Sequence, residues 1–367
     1  MMRLSSFFNN FSFTGPLNSN TKVFFFVITE ALLIGLAFTT NFVSAFVLKN
    51  VLDFDTFKSA AVTNALRIVS IEKFFGVFIE ESVQRWSISH IGGWQFWNSY
   101  YAAAHPAVAI LTLVIILIRS VVWSVTRADW RRVSQYDNSY PYDPTNSAYY
   151  IDGSVEKPSI IKRLFFKRGV LSLNPLDQYR FLRTIFLLSI FISLFGYIFL
   201  PTMPPRLLNN CDFLNNNGKL LGGCFAEYTF VDTIDKHGSL FFTWKDESIQ
   251  ILNNPYAALP SQHALVAAYV AMVWIVLAAS SSSSPSGAPI TRPMFRSKLS
   301  LFFYLALNSS FLFYPALTLF CIVITANHYL FDAFLGFVIL FVATLISLLL
   351  LNINNPAPSK LVEELPM

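Results

Sequence analysis

Six apolar runs limit what this chain can fold into more than any other feature. They cover residues 23–48, 105–125, 184–203, 262–279, 300–324 and 329–351. A helix of about 20 apolar residues crosses the hydrocarbon core of a bilayer, and these runs are close to that length. We therefore predict an all-α polytopic membrane protein with about six transmembrane helices.

The composition excludes the other broad classes of protein. Hydrophobic residues make up 54% of the 367 residues, and charged residues only 13%. This is too little charge for the surface of a soluble enzyme and too much apolar surface for a disordered chain. The net charge of +5 is assigned to membrane topology, because the chain has no RNA-recognition or zinc-finger pattern. Nucleic acid is therefore not an expected partner.

The distribution of basic residues predicts the sidedness of the loops. Loop 126–183 holds ten Lys or Arg, and loop 280–299 holds three with no acid. Loop 204–260 holds four basic residues against six acids. Cytoplasmic loops carry the excess of Lys and Arg, so the first two loops are predicted to be cytosolic. With six spans, both termini are then cytosolic and loop 204–260 is lumenal.

This topology divides the chain into five parts. Residues 1–22 form a cytosolic tail, and 23–125 hold the first two spans with amphipathic interfacial helices between them. Residues 126–183 are a polar cytosolic insertion. Residues 184–351 form a four-helix core that would carry the active site, and 352–367 are a second cytosolic tail.

The three cysteines fit the same topology. Cys211 and Cys224 share the lumenal loop, where the environment is oxidising, and we predict a disulfide between them. Two unpaired thiols are the alternative. Cys321 lies in the fifth span and is interpreted as a packing residue. Since no CxxC pattern occurs, no metal site is predicted.

Two histidines stand at the lumenal ends of separate spans. His263 follows Pro260 and Ser261, and Ser261 is suited to cap the fourth span. A helix N-terminus favours phosphate, so His263 there suits a general acid. The alternative is an interfacial histidine without a catalytic task.

The second histidine, His328, precedes Asp332 by four residues, so the two share one helix face. A hydrogen bond to Asp332 would fix one ring nitrogen and leave the other as a nucleophile. The alternative is a buried pair that only ties helices together. Arg206 closes the third span on the same side and offers a planar fork for phosphate oxygens, unless it only meets lipid headgroups.

These motifs resemble the type 2 phosphatidic acid phosphatase superfamily, whose signature pairs Pro-Ser-x-His with a later His-x-x-x-Asp. The wider strings 254–263, 325–332 and 201–206 are similar to the branch that contains inositol phosphorylceramide synthases. So is the upstream series Asn64, Ala65, Glu72, Glu80, Gln84, Asn98, Tyr101 and His105.

The resemblance implies the roles of the site residues. His328 would attack the lipid phosphorus, Asp332 would orient it, and His263 would protonate the leaving alkoxide. Arg206 would hold the phosphoryl oxygens. Ser261, Asn327 and His105 are expected to contact the substrate, with no metal and no other cofactor.

The implied activity is the transfer of inositol phosphate from phosphatidylinositol to a ceramide-like acceptor. It would occur at the lumenal face of the Golgi or another endomembrane, and a partner subunit is not indicated by the residues. One alternative is a lipid phosphate phosphatase. The others are a catalytically silent membrane scaffold, and a transporter or metal site that uses His105 as a third ligand.

Two elements of the superfamily pattern are missing. No Lys stands six residues before Arg206, and Cys321-Ile322 occupy the region of a Ser-Arg pair. Arg67 or Arg85 would have to replace the missing phosphate contact. A phosphodiester substrate, which carries less charge than a monoester, is compatible with this loss.

Overall fold

Helices are the main secondary structure in the part that the computed structural model describes, residues 20–50, 53–136, 173–214, 218–241, 254–281 and 313–354. In chain order the helices are α1 (Asn20–Asn50), α2 (Phe54–Phe74), α3 (Glu80–His90), α4 (Trp94–Tyr136), α5 (Pro175–Phe199), α6 (Thr233–His237), α7 (Gln262–Ser281), α8 (Phe313–Ile324) and α9 (Leu330–Asn354). Within these ranges extended pairing is limited to the isolated bridges Thr202–Ala257 and Leu214–Leu220.

Four of the helices are long and apolar enough to cross a membrane: Trp94–Thr126, Pro175–Phe199, Gln262–Ser280 and Leu330–Leu351. Together with the shorter apolar helix α8, they confirm the predicted class, an all-α membrane protein. The first predicted span, 23–48, lies inside α1. The fifth, 300–324, is described only from Phe313 onward.

Helix boundaries differ from the predicted polar loop 126–183 at both of its ends. Helix α4 continues to Tyr136, and α5 already begins at Pro175, with the side chain of Asn174 accepting from Asp177 N at 3.0 Å. An apolar run predicts only the part of a helix that lies in lipid. The helix itself can continue into polar sequence, because its backbone hydrogen bonds do not depend on apolar side chains. Residues 1–19, 137–172, 282–312 and 355–367, which include the predicted tails and the Ser-rich linker, lie outside the described residues.

Between the first two spans the chain forms the amphipathic helices predicted there. Helix α2 is capped by Asp53, whose side chain accepts from Thr56 N at 2.9 Å. Its buried face, which includes Ala61, Ala65 and Ile68, packs into one apolar cluster with Met203, Leu207, Tyr256 and Tyr329. The segment after α5 and the start of α9 are thereby anchored on α2.

The chain separates into two compact units. One comprises Met1–Gly35 and Leu113–Arg180, in which the buried carboxylate of Glu30 accepts a hydrogen bond from the hydroxyl of Tyr179 at 3.0 Å. The other comprises Leu36–Thr112 and Phe181–Met367. All candidate site residues belong to this second unit.

Glycine allows close approach of the elements that carry the site. A Cβ atom on Gly336 of α9 would lie 2.6 Å from the carbonyl oxygen of Ser261, at the start of α7. A Cβ on Gly196 of α5 would lie 2.4 Å from Cδ of Pro260. Because only a hydrogen atom fits at either position, α5 and α9 both approach the backbone around residue 260 closely.

Candidate active site

Backbone hydrogen bonds bring the three predicted motif segments together. Thr202 N donates to Tyr256 O at 2.8 Å, which sets the segment before Arg206 beside the segment before His263. Arg206 N donates to Ala326 O at 2.8 Å, which joins it to the turn before His328. Met203 N donates to Ala61 O at 3.1 Å and fixes the assembly to α2. Segments more than 100 residues apart in sequence therefore form one site.

His328 is oriented by a backbone carbonyl. Its Nδ1 lies 2.8 Å from the carbonyl oxygen of Ala258, and because a carbonyl only accepts, Nδ1 carries a proton. Burial lowers the pKa of His328 to about 4, although the bond to Ala258 acts in the opposite direction, and the charge of Arg206 lowers the pKa further. The ring is therefore neutral at pH 7, with the lone pair of Nε2 available as a nucleophile.

His263 is held in the complementary way. Its Nε2 lies 3.0 Å from the carbonyl oxygen of Tyr101, so Nε2 is the protonated nitrogen. The ring of Tyr101 stacks on the imidazole with 4.2 Å between centroids. His263 Nδ1 is thereby directed at Nε2 of His328, at a distance of 3.2 Å.

The contact between the two imidazoles defines a proton site. With the outer nitrogens donating to carbonyls, the two inner nitrogens would otherwise present only lone pairs to each other. A proton added to His263 Nδ1 would turn this 3.2 Å contact into a hydrogen bond in which His263 donates and His328 Nε2 accepts. Such a pair combines a nucleophile with a proton donor for a leaving group.

The predicted hydrogen bond between His328 and Asp332 is not formed. Nδ1 of His328 is 3.5 Å from Asp332 Oδ2, too long for a good hydrogen bond, because Ala258 O already occupies the donor. Asp332 Oδ2 instead accepts from Tyr329 N at 2.9 Å, and the backbone carbonyl of Asp332 accepts from Ser261 N at 2.9 Å. Asp332 thus stabilises the start of α9 and links it to α7, while its carboxyl remains 3.5 Å from Nδ1 of His328.

Arg206 is buried next to His328 and is already paired. Its Nε donates to Asn327 Oδ1 at 2.9 Å, and its Nη1 forms an ion pair with Asp232. Asn327 is fixed in turn, since its Nδ2 donates to Thr325 Oγ1 at 2.9 Å. The guanidinium is thus presented beside the imidazole pair by side chains from two different segments.

Asp232 is a site residue that the sequence did not single out. It caps α6, with Oδ1 accepting from Ile234 N and Asp235 N, both at 3.1 Å. It is one of six acids in the 204–260 loop, and no spacing distinguishes it from the others. An acid before a short helix is a capping signal, but its contact with Arg206 depends on the tertiary fold.

Two amides of the upstream series hold the part of the loop that carries Asp232. The side chain of Gln84 in α3 pairs with both backbone groups of Val231, at 2.8 and 3.0 Å. Asn98 in α4 donates to the carbonyl oxygens of Thr233 and Gly238 at 2.9 and 2.7 Å. These residues resemble the family pattern, and here they have a positioning role.

Two buried glutamates of the same series reach the first turn of α9. Glu72 Oε1 accepts from Phe331 N at 2.7 Å, and Glu80 Oε1 accepts from Leu330 N at 2.8 Å. Burial raises the pKa of Glu72 to about 9, with Glu80 as the next cause, and burial also raises the pKa of Glu80. The first N–H groups of α9 are therefore occupied by carboxyls and not free for phosphate.

Ser261 and His105, which are also predicted to contact the substrate, lie next to His263 or at the start of its helix. Ser261 caps α7 as the sequence predicts, with Oγ accepting from Ala264 N at 3.3 Å. The ring of His105 lies against His263 with 4.1 Å between centroids.

Neither arginine that was predicted to replace the missing phosphate contact is buried in the site. Arg85 pairs with Glu81 and its side chain is 68% exposed, and Arg67 lines an open surface depression on α2. Arg206 is the arginine placed beside the imidazoles.

The three cysteines comprise one disulfide and one free thiol. Cys211 and Cys224 form a disulfide within the 204–260 loop. Cys321 is a buried free thiol whose Sγ donates to Trp97 O at 3.4 Å. In the part of the chain that the structure describes, no group of three His, Cys, Asp or Glu side chains is arranged to hold a metal ion.

One comparison with known families agrees with this site. A family model described as the PAP2 superfamily matches residues 166–294, about a third of the chain. The matched segment contains Arg206, Ser261 and His263, and it ends before His328 and Asp332. The match supports a membrane enzyme of the phosphatase or phosphotransferase type. The chain matches no curated protein and no solved structure.

Proposed function

We propose that the protein is a lipid phosphotransferase that works through a phosphohistidine at His328. The observation that carries this proposal is the contact between His328 Nε2 and His263 Nδ1 at 3.2 Å, beside the guanidinium of Arg206. A nucleophile, a proton donor and a phosphate-binding cation are the three groups that a double displacement at phosphorus requires.

In the first half-reaction His328 Nε2 attacks the phosphorus, and the phosphorus–oxygen bond to the diacylglycerol group breaks. A proton on His263 Nδ1 passes to the departing alkoxide. In the second half-reaction the acceptor hydroxyl gives its proton to His263 Nδ1 and attacks the phosphorus, and the phosphorus–nitrogen bond breaks. The imidazole pair regains its original proton, so the cycle closes.

Within this proposal we favour a phosphodiester lipid as donor. The guanidinium of Arg206 is already paired with Asp232, and the carboxyl of Asp332 lies 3.5 Å from Nδ1 of His328. A phosphodiester brings one negative charge into this buried site, whereas a phosphomonoester brings up to two. The more specific proposal is that phosphatidylinositol is the donor and a ceramide-like lipid the acceptor, and the sequence resemblance supports it. Hydrolysis, with water as acceptor, uses the same groups.

The proposal includes the membrane in which the protein acts and the face on which its active site lies. The distribution of basic residues supports an active site on the lumenal face of an endomembrane such as the Golgi, with both termini in the cytosol.

The test uses the purified full chain in lipid vesicles with phosphatidylinositol labelled in the headgroup. Addition of ceramide is expected to give a labelled inositol phosphorylceramide, whereas labelled inositol phosphate with and without ceramide indicates hydrolysis. His328→Asn is expected to abolish both products and the acid-labile phosphoenzyme. His90→Asn, which alters an exposed imidazole bonded to Trp86 O in its own helix, is the matched control. Turnover by His328→Asn, or no turnover by the wild-type protein with any phospholipid, would contradict the proposal.

A further inference from the structure

The start of α9 has an unusual set of partners for its backbone N–H groups. A helix normally leaves its first N–H groups to water or to a capping side chain close in sequence. Here Leu330 N and Phe331 N donate to Glu80 and Glu72, which are 250 and 259 residues away in sequence. Both glutamates are almost completely buried, so water does not substitute for them.

The two glutamates also form a pair. Each uses Oε1 for α9, while Oε2 of each accepts from no N–H group among the described residues. The two carboxyls contact each other, and two buried carboxylates in contact repel unless a proton lies between them. A protonated carboxyl keeps one oxygen as an acceptor, so the bond to α9 does not require the negative charge.

The backbone that these bonds fix leads directly to the nucleophile. His328 precedes Leu330 by two residues, and its ring must meet Ala258 O and His263 Nδ1 simultaneously. Tyr329 N, between them, is held by Asp332. Three consecutive N–H groups are thus fixed by three side chains from α2, α3 and α9.

We propose that Glu72 and Glu80 are positioning residues for the reaction, and that their reach to α9, not their charge, holds His328 Nε2 in line with the substrate phosphorus. This inference rests on the proposed phosphotransfer function. Displacement of a reacting group by about 1 Å can lower a rate about 100-fold, so loss of either bond is expected to affect kcat strongly.

Two substitutions at each position separate reach from charge. Glu72→Gln and Glu80→Gln keep the length and the Oε1 acceptor but cannot ionise, and are expected to keep most of the wild-type kcat. Glu72→Asp and Glu80→Asp keep the ionisable carboxyl but shorten the side chain, and are expected to lower kcat about 100-fold with little change in KM. Glu81→Ala is the matched control, because Glu81 also accepts from a distant backbone N–H, that of Thr229, but does not contact α9.

A second readout does not depend on turnover. Nitrogen NMR of the histidine-labelled protein is expected to show His328 as a neutral ring protonated at Nδ1, assigned by the loss of its signals in His328→Asn. The Asp variants are expected to lose this single tautomer and the Gln variants to keep it. The inference is overturned if the Gln variants lose kcat as the Asp variants do, if the Asp variants keep it, or if Glu81→Ala lowers kcat equally. If the wild-type protein has no turnover but the tautomer follows this pattern, only the proposed function fails.

Discussion

At the scale of single residues, the site depends on backbone carbonyl groups, whose role no sequence motif specifies. Ala258 O and Tyr101 O set the tautomers of His328 and His263, and so determine which nitrogens face each other. The sequence indicated the two imidazoles, which the structure brings to 3.2 Å from each other, and assigned the orienting role to Asp332. A backbone carbonyl can be supplied by any residue type, so its part in a site leaves no trace in the sequence.

The low pKa of His328 predicts an unusual acid limit for the reaction. An ordinary histidine becomes protonated near pH 6.5 and loses its lone pair. Burial holds the pKa of His328 at about 4, so Nε2 stays unprotonated down to that pH. We expect the acid limb of log(kcat/KM) against pH to fall at about 4. A limb near 6.5 would show that the free enzyme exposes this ring to water.

The raised pKa of Glu72 predicts a stability effect that grows with pH. In the unfolded chain this glutamate loses its proton near pH 4.5, whereas in the folded protein it holds the proton until about pH 9. Glu72 therefore contributes fully to the free energy of unfolding below pH 4.5, and this contribution is lost as pH rises toward 9. Glu72→Gln removes this loss, so its melting temperature should exceed that of the wild type by more at pH 8 than at pH 5. An equal difference at both pH values would contradict the raised pKa.

At the scale of helices, the sequence indicated where elements exist more accurately than where they end. The apolar run 105–125 predicted the second span, but α4 extends from Trp94 to Tyr136. The helical spacing in 49–103 predicted amphipathic helices there, but it did not reveal that α2 and α3 hold the start of α9. That arrangement depends on pairings across more than 240 residues, and local periodicity contains no information about them.

The close approach of α7 and α9 predicts that one methyl group is enough to disturb the site. In Gly336→Ala the new Cβ would lie 2.6 Å from Ser261 O, so the start of α7, with His263, must shift. We expect kcat to fall about 10- to 100-fold, because the two imidazoles no longer meet. Gly35→Ala, in α1, is the control, since nothing lies within 4 Å of its added Cβ. Equal activity of both variants would show that the helix contact tolerates the shift.

At the scale of the whole molecule, the charge distribution predicts which side of the membrane each loop faces. Single cysteines introduced at Asp212 and at Arg163 in a chain with Cys321→Ser are expected to react with a membrane-impermeant maleimide from opposite sides. Sealed microsomes should protect the 212 position, and permeabilisation should expose it. Labelling of the 212 position before permeabilisation, with the 163 position protected, would reverse the proposed orientation of the active site.

The ion pair between Arg206 and Asp232 also has a kinetic consequence. A substrate phosphate that binds Arg206 competes with a carboxylate already in place, so affinity reflects the difference between two anions and not the full attraction of a bare cation. Under the proposed function, Asp232 can pair with Arg206 again when the product leaves, so that no unpaired buried charge remains. Under the proposed function, the ion pair lowers the affinity for the lipid donor. It also makes product release faster, because Asp232 takes the place of the departing product.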